Sequence, residues 1–235
     1  MKTFVRILIA ASSLWLQSSV ADVAQEIREY CARAYDLKEC EKVAEAEQAL
    51  ILKHAKFVKR VGRSLEFTSV KGPVLKLSDT LKEEGELVAY TFKDYIPEID
   101  SFLVQVNYSE GGSYALVNRY AGFKIDIDTP PIFSPDHEHF ITSDICPSYC
   151  QYRLQIWQRS PREGFPLELV WSYTPYDSLE RIEPQWLNNK TIKLTKSVYK
   201  DANEFRIGTR TAKKVAYLYL DDEGWRILDQ LSVEK

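Results

Sequence analysis

The residues best suited to chemistry stand in one short run, Asp136-His137-Glu138-His139. Two histidines two apart on a strand share a face and have the spacing to grip a metal ion. The run follows Ser134-Pro135, however, and proline is preset for the second position of a type I turn. A solvated, charged turn tip is therefore the simpler reading, with His137 and His139 kept as the metal candidates. Asp126 and Asp128 alternate with Ile125 and Ile127, so on a strand the two carboxylates share one face. Paired acids can hydrolyse glycosides, but acids alternating with isoleucines usually form a solvated sheet face. The third histidine, His54, lies on an apolar helical stripe and reads as a core or boundary residue. There is no G-x-S-x-G elbow and no glycine-rich nucleotide motif. No cofactor is implied.

The four cysteines are Cys31, Cys40, Cys146 and Cys150. An even count in an exported chain suggests two disulfides. Three pairings are open. The local one, Cys31 with Cys40 and Cys146 with Cys150, is preferred. The spacings fit no familiar zinc pattern, even with His137 and His139 close by. On a continuous helix Cys31 and Cys40 would be about 13 Å apart, beyond the bridging limit of about 7 Å. A bond between them therefore demands a corner near Tyr35-Asp36. Asp36-Leu37-Lys38-Glu39 has the form of a capping box that would restart a helix there. Between Cys146 and Cys150, Pro147 and Ser148 favour a turn that brings the two α-carbons together. The clamped tip, Pro147, Ser148 and Tyr149, is the loop expected to bind a partner.

These residues need elements to hold them. Residues 1–21 read as a signal peptide, with basic Lys2 and Arg6, an apolar run from Ile7 to Leu16, and a small-x-small end at Ser19-Val20-Ala21. Cleavage near Ala21-Asp22 would leave a periplasmic or secreted protein. No later run is long and apolar enough for a stable membrane anchor. Without the leader the chain keeps 29 basic and 34 acidic side chains, a net charge of −5. That balance argues against nucleic acid as a partner. Residues 22–62 read as a helical segment, with Val43, Ala46, Leu50, His54, Phe57 and Val61 forming one stripe and Gly62 ending it. Residues 63–235 read as an antiparallel β domain of ten to fourteen strands. Short alternating runs are separated there by turns such as Glu110-Gly111-Gly112-Ser113 and Asp221-Asp222-Glu223-Gly224.

An internal echo runs through this region. Pro131-Ile132-Phe133-Ser134-Pro135-Asp136 is similar to Pro184-Gln185-Trp186-Leu187-Asn188-Asn189, 53 residues on. In each, proline precedes an aromatic by two and Asp or Asn follows it by three. Echoes at this interval point to stacked or radial β units. Phe133-Ser134-Pro135-Asp136, followed by a strand and then Leu154-Gln155-Ile156-Trp157, resembles one blade of a β-propeller, with His137 where such blades carry glycine. The chain as a whole resembles exported bacterial proteins of unknown function that have a helical start and a β-rich body. The resemblance implies antiparallel, propeller-like meanders and no particular activity. An open twisted sheet or a β-sandwich is the alternative. Two function classes remain. One is a non-catalytic binding protein of the cell envelope whose partner is another protein, a peptide or a glycan. The other is an envelope hydrolase with a site assembled from distant loops.

Overall fold

The computed structural model describes residues 37–81, 87–108, 111–143, 153–160, 167–174, 181–198 and 212–228. Among the described residues one α-helix, α1 (Leu37–Lys53), precedes sixteen strands, and one 3-10 turn, Pro97–Ile99, lies among them. Every strand pairing is antiparallel, and the strands form four sheets in chain order. The first sheet is β1 (Val58–Val61), β2 (Ser64–Phe67) and β3 (Leu75–Ser78). The second is β4 (Thr80–Leu81), β5 (Leu87–Ile96), β6 (Ser101–Tyr108), β7 (Gly112–Asn118) and β8 (Lys124–Ile127). The third is β9 (Ile132–Phe133), β10 (His139–Ser143), β11 (Leu154–Arg159) and β12 (Leu167–Tyr173). The fourth is β13 (Arg181–Asn188), β14 (Thr191–Val198), β15 (Ala212–Asp221) and β16 (Gly224–Leu228). The fold is thus mainly β, with one helix on its N-terminal side.

Three apolar cores lie between successive sheets. Phe102, Val104 and Val106 on β6 join Leu65 and Phe67 of the first sheet and Ile51 of α1. The alternate residue Leu103 looks the other way, with Leu116 and Ile127, towards Phe140 and Leu167 of the third sheet. Ile141, Leu154 and Ile156 then leave the opposite face of the third sheet and meet Ile192, Leu194 and Leu218 of the fourth. The inner strands β6 and β10 of the middle two sheets are buried on both faces. That explains why Phe102-Leu103-Val104 is apolar without alternation. Three strands carry one extra residue each, Lys93 on β5, Val170 on β12 and Leu187 on β13, where the pairing register shifts.

Loops stitch the first two sheets together. Val70 and Lys71 donate backbone N–H groups to the carbonyls of Arg119 and Tyr120, at 2.9 and 2.8 Å. Gly122 sits at φ +74° in this contact, and a Cβ there would stand 2.8 Å from the Pro73 carbonyl oxygen. Only glycine suits both the conformation and the space.

The sequence expectations need three corrections. The helix does not reach Gly62: it stops at Lys53, and Val58–Val61 is β1. The 22–62 helical boundary and the start of the β domain at residue 63 therefore move back. The β-branched Val58 and Val61 prefer an extended chain, where they pair with Phe67 and Ser64. The buried helical line is also not the predicted stripe. Val43 is 41% exposed and Val61 52%, whereas Glu47 and Ile51 are buried. Finally, sixteen strands exceed the expected ten to fourteen, because β4 and β9 have only two residues each and β1 was read as helix. The capping box at Asp36 and the leader lie outside the described residues.

Candidate functional site

The Asp136–His139 run forms the tip between β9 and β10. Ser134 is buried, and its hydroxyl donates to Asp136 Oδ1 at 2.7 Å and accepts the His139 N–H at 3.1 Å. Asp136 Oδ1 also accepts the Glu138 N–H at 3.1 Å. The Ser134 hydroxyl, together with that backbone donor, holds the Asp136 carboxyl below its ordinary value. His137 adopts φ +59° and lies in the turn, not on β10. Its ring is tilted against Phe133, centroids 5.7 Å apart, and its Nδ1 is 3.8 Å from Glu98. His139 begins β10 and stands edge-on to Trp225, 5.7 Å away, in the seam between the third and fourth sheets. Burial lowers its pKa, against the pull of Asp136 and Glu138. The two histidines thus occupy different conformations and different surroundings. Among the described residues no group of three or more His, Cys, Asp or Glu is arranged to hold a metal.

The other candidates are similarly accounted for. Asp126 pairs with Lys124 at 2.6 Å, and Asp128 accepts two bonds from Arg153 at 2.7 and 3.0 Å. Each carboxylate is tied to its own cation. His54 packs among Phe92, Tyr95 and Phe102 at centroid distances of 5.5 to 6.1 Å. Cys40 is on α1 and is not a free thiol. Cys31, Cys146 and Cys150, with every cysteine pairing, lie outside the described residues, as do Pro147, Ser148 and Tyr149. β10 and β11, which flank that loop, pair antiparallel as expected, with Thr142 opposite Gln155.

The echo in the sequence corresponds to equivalent places in two sheets. Phe133 pairs across to Phe140 in the first hairpin of the third sheet, and Trp186 to Ile192 in the first hairpin of the fourth. Phe133 points into the core shared with the second sheet, Trp186 into the core shared with the third. Trp186 Nε1 donates to the Ile132 carbonyl at 2.8 Å, so the second copy is hydrogen-bonded to the first. Each turn carries an Asx contact, Asp136 to the Glu138 N–H and Asn188 to the Lys190 N–H.

Two ionic clusters escaped the sequence reading. Glu47 on α1 takes Arg60 of β1 in a bidentate pair at 2.7 and 2.8 Å and accepts the Phe92 N–H at 2.5 Å. Arg60 also donates to the Tyr90 carbonyl at 2.6 Å, and Asp79 accepts the Tyr90 N–H at 2.8 Å. These side chains satisfy backbone groups of β5 beyond the reach of the short β4. In the second cluster Asp100, at φ +47°, holds Arg119 at 2.6 Å and accepts the Tyr95 hydroxyl at 2.5 Å. Burial, then the bond to Asp100, raises the Tyr95 pKa. Both clusters bind elements to each other. The available signal was Glu47 itself, an acid on the helical turn between Ala44 and Ile51 where the inward face requires a cation partner.

A surface of different character lies on the outer side of the fourth sheet. Ile192, Leu194, Ala216 and Leu218 point to the inner core. By alternation Lys193, Thr195, Tyr217 and Tyr219 point outward, all half-buried. Lys193 is opposite Tyr217, and Tyr219 lies between Thr191 and the exposed Arg226. Arg226 is itself paired with Asp221 and Glu223. Tyr217 and Tyr219 belong to none of the three cores. By contrast Trp157, Trp171 and Trp186 pack against the cores. Comparison with known proteins adds no relative: no family model, no curated protein and no solved structure matches this chain.

Proposed function

We propose that the chain is an exported, non-catalytic interaction protein of the cell envelope, built of propeller-like meanders and binding an envelope protein, a peptide or a glycan. The observation that carries this reading is the outer face of the fourth sheet, where Tyr217 and Tyr219 sit between Lys193, Arg226 and two threonines. Tyrosine and arginine on a rigid scaffold are the residue types that recognition surfaces favour, since tyrosine offers contact area at low entropic cost. The propeller-like part of the reading rests on the repeated first hairpin of the third and fourth sheets and on the order of the cores. Export rests on the leader, and local clamping of the Pro147–Tyr149 loop on the cysteine spacing.

The test is a pull-down from envelope extract with the mature chain, run beside Tyr217→Ala/Tyr219→Ala and beside a variant with Pro147, Ser148 and Tyr149 replaced. The expected result is a partner that the native chain retains and at least one variant loses. A partner held equally by all three, or none above a bead control, overturns the reading.

A further inference from the structure

The buried cluster in the seam between the second and third sheets is made of apolar side chains. On the face of β10 and β11 that looks towards the second sheet, two cross-strand pairs are adjacent, Phe140 with Trp157 and Thr142 with Gln155. The Phe140 and Trp157 rings stack, 12° from parallel. Thr142 is 0% exposed and Gln155 7%. Thr142 Oγ1, Gln155 Oε1 and Trp157 Nε1 are all buried, and none of the three has a hydrogen-bond partner among the described residues. Three such atoms on neighbouring positions of one sheet face are not a scatter of accidents. Buried polar groups in folded proteins are paired as a rule, with protein or with ordered water.

We propose that this face binds one internal water molecule, held jointly by Thr142, Gln155 and Trp157. The chemistry is complementary. The indole N–H is a donor only, the amide oxygen an acceptor only, and the threonine hydroxyl can do either. A water accepts from the indole and donates to the amide oxygen and the hydroxyl, and so reaches the three bonds typical of a buried water. Turning the Gln155 amide over exchanges acceptor for donor but leaves a buried polar atom at the same spot, so the demand for a partner remains. A larger polar ligand is disfavoured, because the same core is otherwise composed of buried apolar side chains such as Leu103, Leu116 and Phe140. The water would add an internal polar contact to a joint whose other polar links include the Asp128–Arg153 ion pair and the Ser143 N–H to Thr129 bond.

The experiment is water-selective NMR on the full chain, with the Trp157 indole proton assigned from a Trp157→Phe sample. The expected result is a cross-peak from that proton to a long-lived water. A Thr142→Val/Gln155→Met variant, close in volume to the native pair, should lose the cross-peak while keeping the ring-current shifts of the Phe140–Trp157 stack. The proposal is overturned if the native indole shows no long-lived water, or if the cross-peak survives undiminished in the double variant.

Discussion

His137 offers the sharpest test of how the β9–β10 turn is built. It holds φ +59°, a left-handed conformation that costs a residue with a Cβ about 1–2 kcal/mol. Glycine adopts it freely but loses about 0.4–1 kcal/mol through the greater entropy of its unfolded chain. The ring's native contacts are slight: an exposed approach to Glu98 at 3.8 Å and a tilted contact with Phe133. An exposed pair of this kind contributes little. His137→Gly should therefore stabilise the protein by about 0.5–1 kcal/mol, a rise in melting temperature of about 2 °C for a chain of this size. His137→Ala keeps the strain and loses the ring, so it should be no more stable than the native chain. Urea titrations of the three proteins would read the difference as a shift in midpoint at constant slope. If the glycine variant falls below the native protein, alongside the alanine variant, the imidazole and not the backbone sustains the turn, and the reasoning fails.

Other consequences can be measured in the same way. Glu47→Ala takes the bidentate partner from the half-buried Arg60, which keeps Asp79 at 3.5 Å, and frees the Phe92 N–H, and should cost about 3 kcal/mol by denaturant titration. Glu47→Leu combined with Arg60→Met should cost less than Glu47→Ala alone. Because burial lowers the folded-state pKa of His139, the unfolded chain binds its proton first as pH falls. Stability should thus be complete above about pH 6.5 and decline below it until the folded-state value is passed, and this part of the slope should vanish in His139→Gln. Peptide mapping of non-reduced mature protein should find Cys146 joined to Cys150 and Cys31 to Cys40. Cross-pairing of these two groups would remove the loop clamp.

Much of the β body was legible, because turn chemistry is local. Gly111 at φ +99° and Gly224 at φ +117° stand in the turns that their sequence announced. The strands Val215 to Leu220 and Trp225 to Leu228 lie inside β15 and β16, and Phe133 and Trp186 each cross to the second strand of the first hairpin of their sheet. The first sheet was harder to read. The apolar period from Leu50 through Phe57 continues past Lys53, but Val58 begins a strand held by pairing with Phe67, a long-range contact that no helical period records. The inward position of Glu47 had one local signal, its spacing from Ala44 and Ile51, but its counter-charge comes from Arg60, thirteen residues away and on another element. Site chemistry was the least legible. The His137–His139 spacing suggested a shared strand face, and the turn placed the first histidine off the strand.

The three inserted residues, Lys93, Val170 and Leu187, bear on how copies of this protein meet one another. β12 and β13 are the outermost described strands of their sheets, and β5 is covered by β4 only over its first residues. A strand with open N–H and C=O groups is a template for any neighbouring chain of similar shape, and aggregation often begins there. An added residue breaks the regular spacing of those groups and turns the strand, so an incoming chain can match only a few residues before falling out of step. On β5 the side chains of Glu47, Arg60 and Asp79 also occupy the groups an intruder would need. A chain whose strands read as strongly apolar, Glu168-Leu169-Val170-Trp171 among them, would thereby stay dispersed at concentrations where straight strands would zip together.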